Sequence, residues 1–271
     1  MTLQTDMRRD GYVILRGLLR PDEIARLRGE LRAHFARSWH AEGLGKHQPE
    51  AALKIPAIGW IYHHPAILQG FRAVSGSDAL VFTANSDAHM NMLSWWHKDT
   101  SENQGGCFSG DYFARPGCNV FRAGIYLQDQ SHKGGLTVRP GSQTSRSPMT
   151  GPAETLKTAA GDVVFFDIRL SHAGQFPDPV ETALLRAARI RRLRSTATVL
   201  KHGWHRLMRK PDKLSLFFTY GAAAADTEEF CHFEWNRQAR GRNGIAPPLT
   251  PVLSGGLERA GVRFGAMAAG G

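Results

Sequence analysis

The strongest constraint on this chain lies between residues 80 and 170, where short β-branched and aromatic runs are cut at close intervals by glycine and proline. Leu80-Val-Phe-Thr83, His89-Met-Asn-Met-Leu93, Val120 to Leu127, Leu136-Thr-Val138 and Val163-Val-Phe-Phe166 each read as strands. Between them lie Gly105 to Gly110, Lys133-Gly-Gly135, Pro140-Gly141 and Gly161-Asp162. Strands of this length, punctuated in this way and joined by one more at Leu214 to Tyr220, predict a mainly β fold: an antiparallel double-sheet barrel of jelly-roll type with flanking helices. Within Val120 to Leu127 the alternation puts Phe121, Ala123, Ile125 and Leu127 on one face and Arg122 and Tyr126 on the other.

The flanks differ. Asp10 to Leu19 reads as an opening strand. It stops before Arg20-Pro21-Asp22-Glu23, where a proline and two acids suit a first helical turn; Ile24, Leu27, Leu31 and Phe35 then recur at helical spacing to about Arg37. Residues 38 to 67, with Trp39, Trp60, Tyr62 and the His63-His64 pair, read as loops or short helices against a core. Beyond Arg240 the glycine, alanine and proline content predicts loose packing. A length of 271 residues is enough for one domain, 1–271, whose core needs no disulfides. The three cysteines, Cys107, Cys118 and Cys231, lack C-x-x-C pairing and read as reduced thiols. No run approaches the roughly 20 apolar residues of a membrane span, and the N-terminal charges precede no apolar stretch. A soluble, cytoplasmic protein is expected.

Chemistry concentrates at His97-Lys-Asp99. Two residues apart at a strand end, both side chains face the same side, as a chelate requires. Two histidines and one carboxylate on one face of an octahedral Fe(II) leave three positions open, so a second histidine is expected downstream. His172 is the candidate, because the apolar strand from Val163 would carry it at its end. His132, His202, His205 and His232 have no comparable pattern.

Four ordered motifs resemble the phytanoyl-CoA dioxygenase-like group of Fe(II)- and 2-oxoglutarate-dependent oxygenases: Asp10-Gly-Tyr-Val-Ile-Leu-Arg-Gly17, Trp96-His-Lys-Asp99, Gly134 to Ser142, and Gly161 to Asp167 followed by His172. The likeness runs to about residue 225. It implies a double-stranded β-helix, cupin-like core, iron held by His97, Asp99 and His172, and 2-oxoglutarate and O2 as cosubstrates, with no catalytic residue beyond the metal ligands. The implied reaction couples decarboxylation of 2-oxoglutarate to oxidation of a C–H bond in a small molecule, by hydroxylation or oxidative cyclisation. The alanine, arginine and glycine content fits bacterial secondary metabolism, antibiotic biosynthesis included. The family usually binds the distal carboxylate of 2-oxoglutarate with an arginine soon after the distal histidine. Here the last strand begins with Lys213, 41 residues beyond His172, so Lys213 takes that role with Arg209 as substitute. Asn91 resembles a polar position that contacts 2-oxoglutarate, and Gly174 stands where the family often places a serine. Trp95, Arg122, Tyr126 and Arg169 are the substrate-binding candidates near these motifs.

The insert that displaces Lys213, residues 180–212, carries Ala183, Leu184, Ala187, Ile190 and Leu193 among arginines, the pattern of an amphipathic helix. From Arg186 to Lys213 there are ten basic residues and one acid, which holds most of the chain's net charge of +10. Placed after the metal-bearing strand, the insert reads as a lid, with Arg191 and Arg192 meeting an anionic, phosphorylated or sugar-linked substrate such as a nucleotide-linked sugar or an acyl thioester. A polycationic substrate is disfavoured by the same charge. Nucleic acid is an unlikely partner: there is no recognised motif, and the insert's one aromatic is Trp204. The alternative in another class is a jelly-roll protein or isomerase that binds a metal and a sugar without oxidation; it predicts no succinate from 2-oxoglutarate.

Overall fold

A computed structural model describes residues 2–101, 105–130, 135–240 and 249–265. Its first element is a helix, α1 (Leu3–Asp10), ahead of the expected opening strand. The Thr2 side chain caps it by accepting from the Thr5 amide, and Gly11 ends it at φ 80°. Only Met7 of this helix is buried, which is why hydrophobic spacing gave no sign of it. Strand β1 (Tyr12–Leu15) and helix α2 (Pro21–Phe35) follow as predicted. Pro21 starts α2, Glu23 accepts from the Arg20 amide at 2.9 Å, and Ile24, Leu27, Leu31 and Phe35 are its buried stripe.

Residues 38 to 67 hold more order than their sequence announces. They form a hairpin, β2 (His40–Glu42) and β3 (Gly45–Pro49), then short helices α3 (Ala51–Lys54) and α4 (Gly59–Tyr62), with α5 (Pro65–Ser75) beginning inside the span. The hairpin is polar, so it lacks the alternation that marks a half-buried strand. The two strands expected at 80–83 and 89–93 are one continuous β4 (Leu80–Met90), which bends at Ala84 (φ 61°), opposite a register shift between Phe218 and Tyr220, and stops at Asn91 (φ 56°). Then come β5 (Val120–Tyr126), β6 (Thr137–Val138), β7 (Glu154–Thr155), β8 (Val163–Asp167), β9 (His172–Ala173), α6 (Pro179–Ala188), α7 (Arg194–Leu207), β10 (Leu214–Ala222), α8 (Ala225–Arg240), α9 (Pro251–Arg259) and β11 (Arg263–Phe264). His132 and the Lys133-Gly134 part of the expected turn lie outside the described residues. So do 241–248; residues 249–265 are not loose, because α9 buries Leu253 and Leu257 and β11 pairs with β4.

Two sheets face each other. The large one runs β1-β8-β5-β10-β4-β3-β2, with β11 added beside β4; the small one runs β7-β6-β9, and an isolated bridge joins His97 to His172 at its edge. The core strands β4, β5, β8 and β10 pair antiparallel. This is the jelly-roll, double-stranded β-helix core that the strand spacing and the motifs predicted.

The outer face of the large sheet carries Phe121, Ala123, Ile125, Phe165, Leu216 and Phe218 against Leu27, Leu31, Phe35 and Phe71 from the helices. Phe71 and Phe165 meet edge to face at 4.9 Å. The inner face is divided. Val164, Phe166 and Phe217 pack with Leu136, Val138 and Leu156 of the small sheet, while His89, Arg122, Tyr126 and Ser215 line an opening between the sheets. That division leaves a polar end in an otherwise apolar barrel, and the site lies there.

The insert is not the single helix that the spacing predicted. It forms α6 and α7, joined by a short 3₁₀ turn at Arg191–Leu193. Asp178 and Glu181 form the capping box of α6, and α7 packs against β2 and β3. Among the described residues no helix is long and apolar enough to cross a membrane.

Candidate metal centre

The backbone brings the three expected ligands together before any side chain acts. His97 and His172 exchange N–H···O bonds in both directions at 3.0 Å, and the Asp99 amide donates to the Ile168 carbonyl at 3.0 Å. Between them Lys98 points the opposite way, donating to the carbonyls of Ser142 (2.8 Å) and Arg169 (2.6 Å), so the pleat of His97-Lys-Asp99 is fixed from both sides.

Nδ1 of His97 lies 2.6 Å from the Trp95 carbonyl, and Nδ1 of His172 lies 3.0 Å from the Leu170 carbonyl. A carbonyl can only accept, so each Nδ1 carries the proton and each Nε2 keeps its lone pair. Those Nε2 atoms sit 3.8 and 3.7 Å from the Asp99 carboxylate oxygens, and one ligand atom from each of the three residues falls within 4.8 Å of the others. Asp99 Oδ2 is buried without a hydrogen bond. Two oriented imidazole lone pairs and an unsatisfied carboxylate oxygen are the donor set that suits an Fe(II) ion on one face. Burial works against the charge on Asp99, yet Arg122, His172 and His97 hold its carboxyl below the usual range. Burial, helped by His97, lowers His172 to about 4, so its ring is neutral, as a ligand must be. His97 is at the mouth, with 43% of its side chain exposed; His172 is at the floor, with 7%.

The pocket around these residues encloses about 700 Å³, its open mouth included, and its wall also contains Ser94, Gln128, Gln175, Lys213, Ser215 and Phe217. Of the further residues singled out from sequence, Lys213, Arg122 and Tyr126 line it. Lys213 Nζ donates to Gln175 Oε1 at 2.7 Å, and burial lowers its pKa. Arg122 does not present its guanidinium to an incoming substrate: it is engaged by Asp87 and Asn85. Trp95 stands at the rim, 65% exposed, its ring 5.4 Å from that of Phe176.

The others lie elsewhere. Asn91 is buried behind the wall; its Oδ1 accepts from the Lys213 amide at 2.8 Å and its Nδ2 donates to Asp212 at 2.9 Å, so it holds Lys213 and does not reach the pocket. Arg169 is 2% exposed and engaged by Asp167 and the carbonyls of Tyr112 and Arg115, a structural cation beside a different cavity. Arg209, Arg191 and Arg192 are exposed on the insert, and no residue of 180–212 is in the pocket wall. The helices cover the sheet edge, where α7 meets β2 and β3, and the expected lid residues stand apart from the pocket wall.

Sequence reasoning missed Ser94, His89, Gln128, Gln175 and Ser215. Strand alternation could have found His89 and Ser215, which are register partners on β4 and β10, once the inner face was known. Ser94 explains Gly174: a Cβ at position 174 would come within 2.7 Å of Ser94 Oγ, which accepts from the Gly174 amide at 2.8 Å. The hydroxyl that the family often carries at this position arrives here from a neighbouring segment.

A jelly-roll whose facing sheets hold two histidines and an aspartate beside a cation-bearing pocket is the framework of the non-haem iron oxygenases that consume 2-oxoglutarate. Residues 7–175 match the phytanoyl-CoA dioxygenase (PhyH) family, and the chain belongs to it. It is an Fe(II)- and 2-oxoglutarate-dependent oxygenase, with O2 as the oxidant. Three solved structures illustrate the shared fold. The non-haem α-ketoglutarate-dependent carbocyclase SnoK from nogalamycin biosynthesis aligns at a TM-score of 0.57 and 16% identity, over 82% of this chain and 87% of its own. The epimerase SnoN from the same biosynthesis aligns at 0.56 and 21%, over 82% and 81%. HygX from Streptomyces hygroscopicus, with nickel, 2-oxoglutarate and hygromycin B bound, aligns at 0.55 and 16%, over 80% and 85%. Comparison with curated protein sequences gave no match.

Proposed function

We propose that His97, Asp99 and His172 hold Fe(II) and that Lys213 takes the distal carboxylate of 2-oxoglutarate in the same pocket, for oxidation of a C–H bond in a small molecule of bacterial secondary metabolism. The observation that carries this reading is the buried Asp99 carboxylate, its Oδ2 without a hydrogen bond, with His97 Nε2 beside one oxygen and His172 Nε2 beside the other. The bound iron supplies the oxidising chemistry: 2-oxoglutarate is decarboxylated to succinate as O2 is reduced, and a substrate C–H bond is oxidised. The chain's own residues bind, orient and exclude water. Lys213 is half-buried and bonded to a neutral amide, so a carboxylate there would restore the charge stabilisation that burial removes. Gln128 Nε2, buried without a hydrogen bond, is a further donor in the wall. Phe217 and Leu136 keep the inner wall apolar, which limits water near the metal.

The rim favours a substrate with an apolar or ring face. Trp95 and Phe176 present an exposed aromatic corner beside His97, while Arg139 lies 4.3 Å over Trp96. The insert arginines give no support to a phosphorylated substrate, since they are remote from the wall. The solved structures with this fold that come from nogalamycin and hygromycin work make a tailoring step on a ring-bearing natural product the favoured assignment.

Anaerobic Fe(II) and 2-oxoglutarate titration, with a separate aerobic turnover assay, separates the parts. Alanine at His97, Asp99 or His172 is expected to abolish Fe(II) binding and succinate formation. Lys213→Ala is expected to keep iron but weaken 2-oxoglutarate roughly tenfold or more, with Lys213→Arg recovering part of the loss. Wild-type affinity in Lys213→Ala would remove that residue's role, and succinate formation in the ligand variants would remove the iron site.

A further inference from the structure

Behind Asp99 runs a row of charge that the metal ligands alone do not require. Arg122 on β5 approaches the metal carboxylate, but its shortest contact is with Asp87 Oδ2 on β4, at 2.6 Å; a second donor reaches Asn85 Oδ1 at 3.2 Å. To Asp99 Oδ2 it comes only within 3.4 Å, and that oxygen receives no hydrogen bond. The other oxygen of Asp87 meets His47 Nε2 at 3.0 Å, and His47 Nδ1 meets Glu42 Oε2 at 3.0 Å. An imidazole between two carboxylates can donate from both nitrogens only as the cation; burial opposes this, but Asp87 and Glu42 outweigh it and raise the ring to about 9. Charges therefore alternate along Glu42, His47, Asp87, Arg122 and Asp99, from the sheet edge at β2 to the metal strand. His47, Asp87 and His89 are also near enough to hold an ion. Both His47 nitrogens are already taken by carboxylates, however, and Arg122 occupies the second oxygen of Asp87, so the cluster is accounted for as part of this row.

We propose that Asp87 is a positioning residue that parks the Arg122 guanidinium beside Asp99 but keeps it too committed elsewhere to occupy the lone pairs the metal needs. The inference rests on Asp99 being a metal ligand. Asp87 and Arg122 stand on strands separated by β10, where Phe217 lies under the guanidinium with its ring centre 5.4 Å away. With Asp87 neutral, the strongest anion left within reach of Arg122 is Asp99 itself.

The test is Co(II) binding without 2-oxoglutarate, followed by the visible ligand-field spectrum, with folding tracked by thermal unfolding. Asp87→Asn is expected to weaken Co(II) by about 10- to 100-fold, as Arg122 moves onto Asp99. The double variant Asp87→Asn/Arg122→Gln, which removes the competitor as well, is expected to return to within roughly threefold of wild type with the wild-type spectrum. Wild-type affinity in Asp87→Asn, or a double variant no better than the single one, overturns the proposal. Should Asp87→Asn fail to fold, Arg122→Lys decides: one shorter ammonium cannot span Asp87 and Asn85 together, so weaker Co(II) binding supports the inference and unchanged binding overturns it. His97→Ala is the separate control, because wild-type Co(II) affinity there means that the metal site, and not the parking of Arg122, has been misassigned.

Discussion

Single atoms decide what the centre can hold. The Nδ1 contacts of His97 and His172 fix where their lone pairs point, and each uses a carbonyl two residues earlier in the chain, so the ligand motif carries its own orienting groups. Gly174 shows the same economy of space. Its amide donates to Ser94 Oγ, and a side chain at 174 would occupy the place of that oxygen. Gly174→Ala is therefore expected to destabilise the protein by about 1 kcal/mol through loss of this hydrogen bond. In a Ser94→Ala background the same change is expected to cost less, a coupling that a double-mutant cycle of chemical denaturation measures.

At the scale of elements, the insert is an anchored buttress of the sheet edge. Glu181 of α6 is fully buried and meets Lys201 of α7 at 3.3 Å and His205 at 3.0 Å, while Lys201 also donates to the Asn91 carbonyl, at the end of β4. Asn91 in turn receives the Lys213 amide, so the insert and the start of β10 are held by one residue. Burial opposes charge on Glu181, but His205, the Asp178 cap and Lys201 bring it down to about 2. A depressed carboxyl contributes stability that is present above its unfolded value of about 4.3 and is lost as pH falls toward about 2. The melting temperature should fall through that window, and less steeply in Glu181→Gln. At neutral pH that variant leaves Lys201 buried beside a neutral amide and is expected to lose about 3 kcal/mol. By contrast, Arg191→Gln/Arg192→Gln removes two exposed charges outside the pocket wall. Its kcat/KM is expected to stay within about twofold of wild type, as steady-state kinetics would record.

For the whole molecule, a metal held by the three proposed ligands would couple the two sheets. His97 and Asp99 belong to the segment after β4, and His172 is carried by β9 of the small sheet, so an ion bound to all three ties together chain segments 73 residues apart at their nearest ligands. An ion that binds the folded state alone stabilises it by about 2.7 kcal/mol when present at 100 times its dissociation constant. Chelator treatment is expected to lower the melting temperature by several degrees and Fe(II) under argon to restore it, whereas the Asp99→Ala protein should melt at one temperature in both conditions.

The strand runs, the turns between them and the spacing His97-x-Asp99 were legible because they are local. A period of two fixes which side chains share a face, and glycine or proline marks where a strand must end. The polar hairpin at 40–49 and helix α1 left little trace, since neither carries the apolar periodicity on which such reading depends. The fate of the polar side chains could not be read at all. Arg122, Arg169 and Asn91 look equally available along the chain, yet partners from distant segments claim them: Asp87 from β4 for Arg122, the Tyr112 and Arg115 carbonyls for Arg169, and the Lys213 amide for Asn91. Local pattern thus determined the barrel and named three side chains that the fold brings together. Only the tertiary structure decided which charges remain free to meet a substrate, because a buried charge is spoken for by whatever counter-charge or carbonyl the fold brings to it.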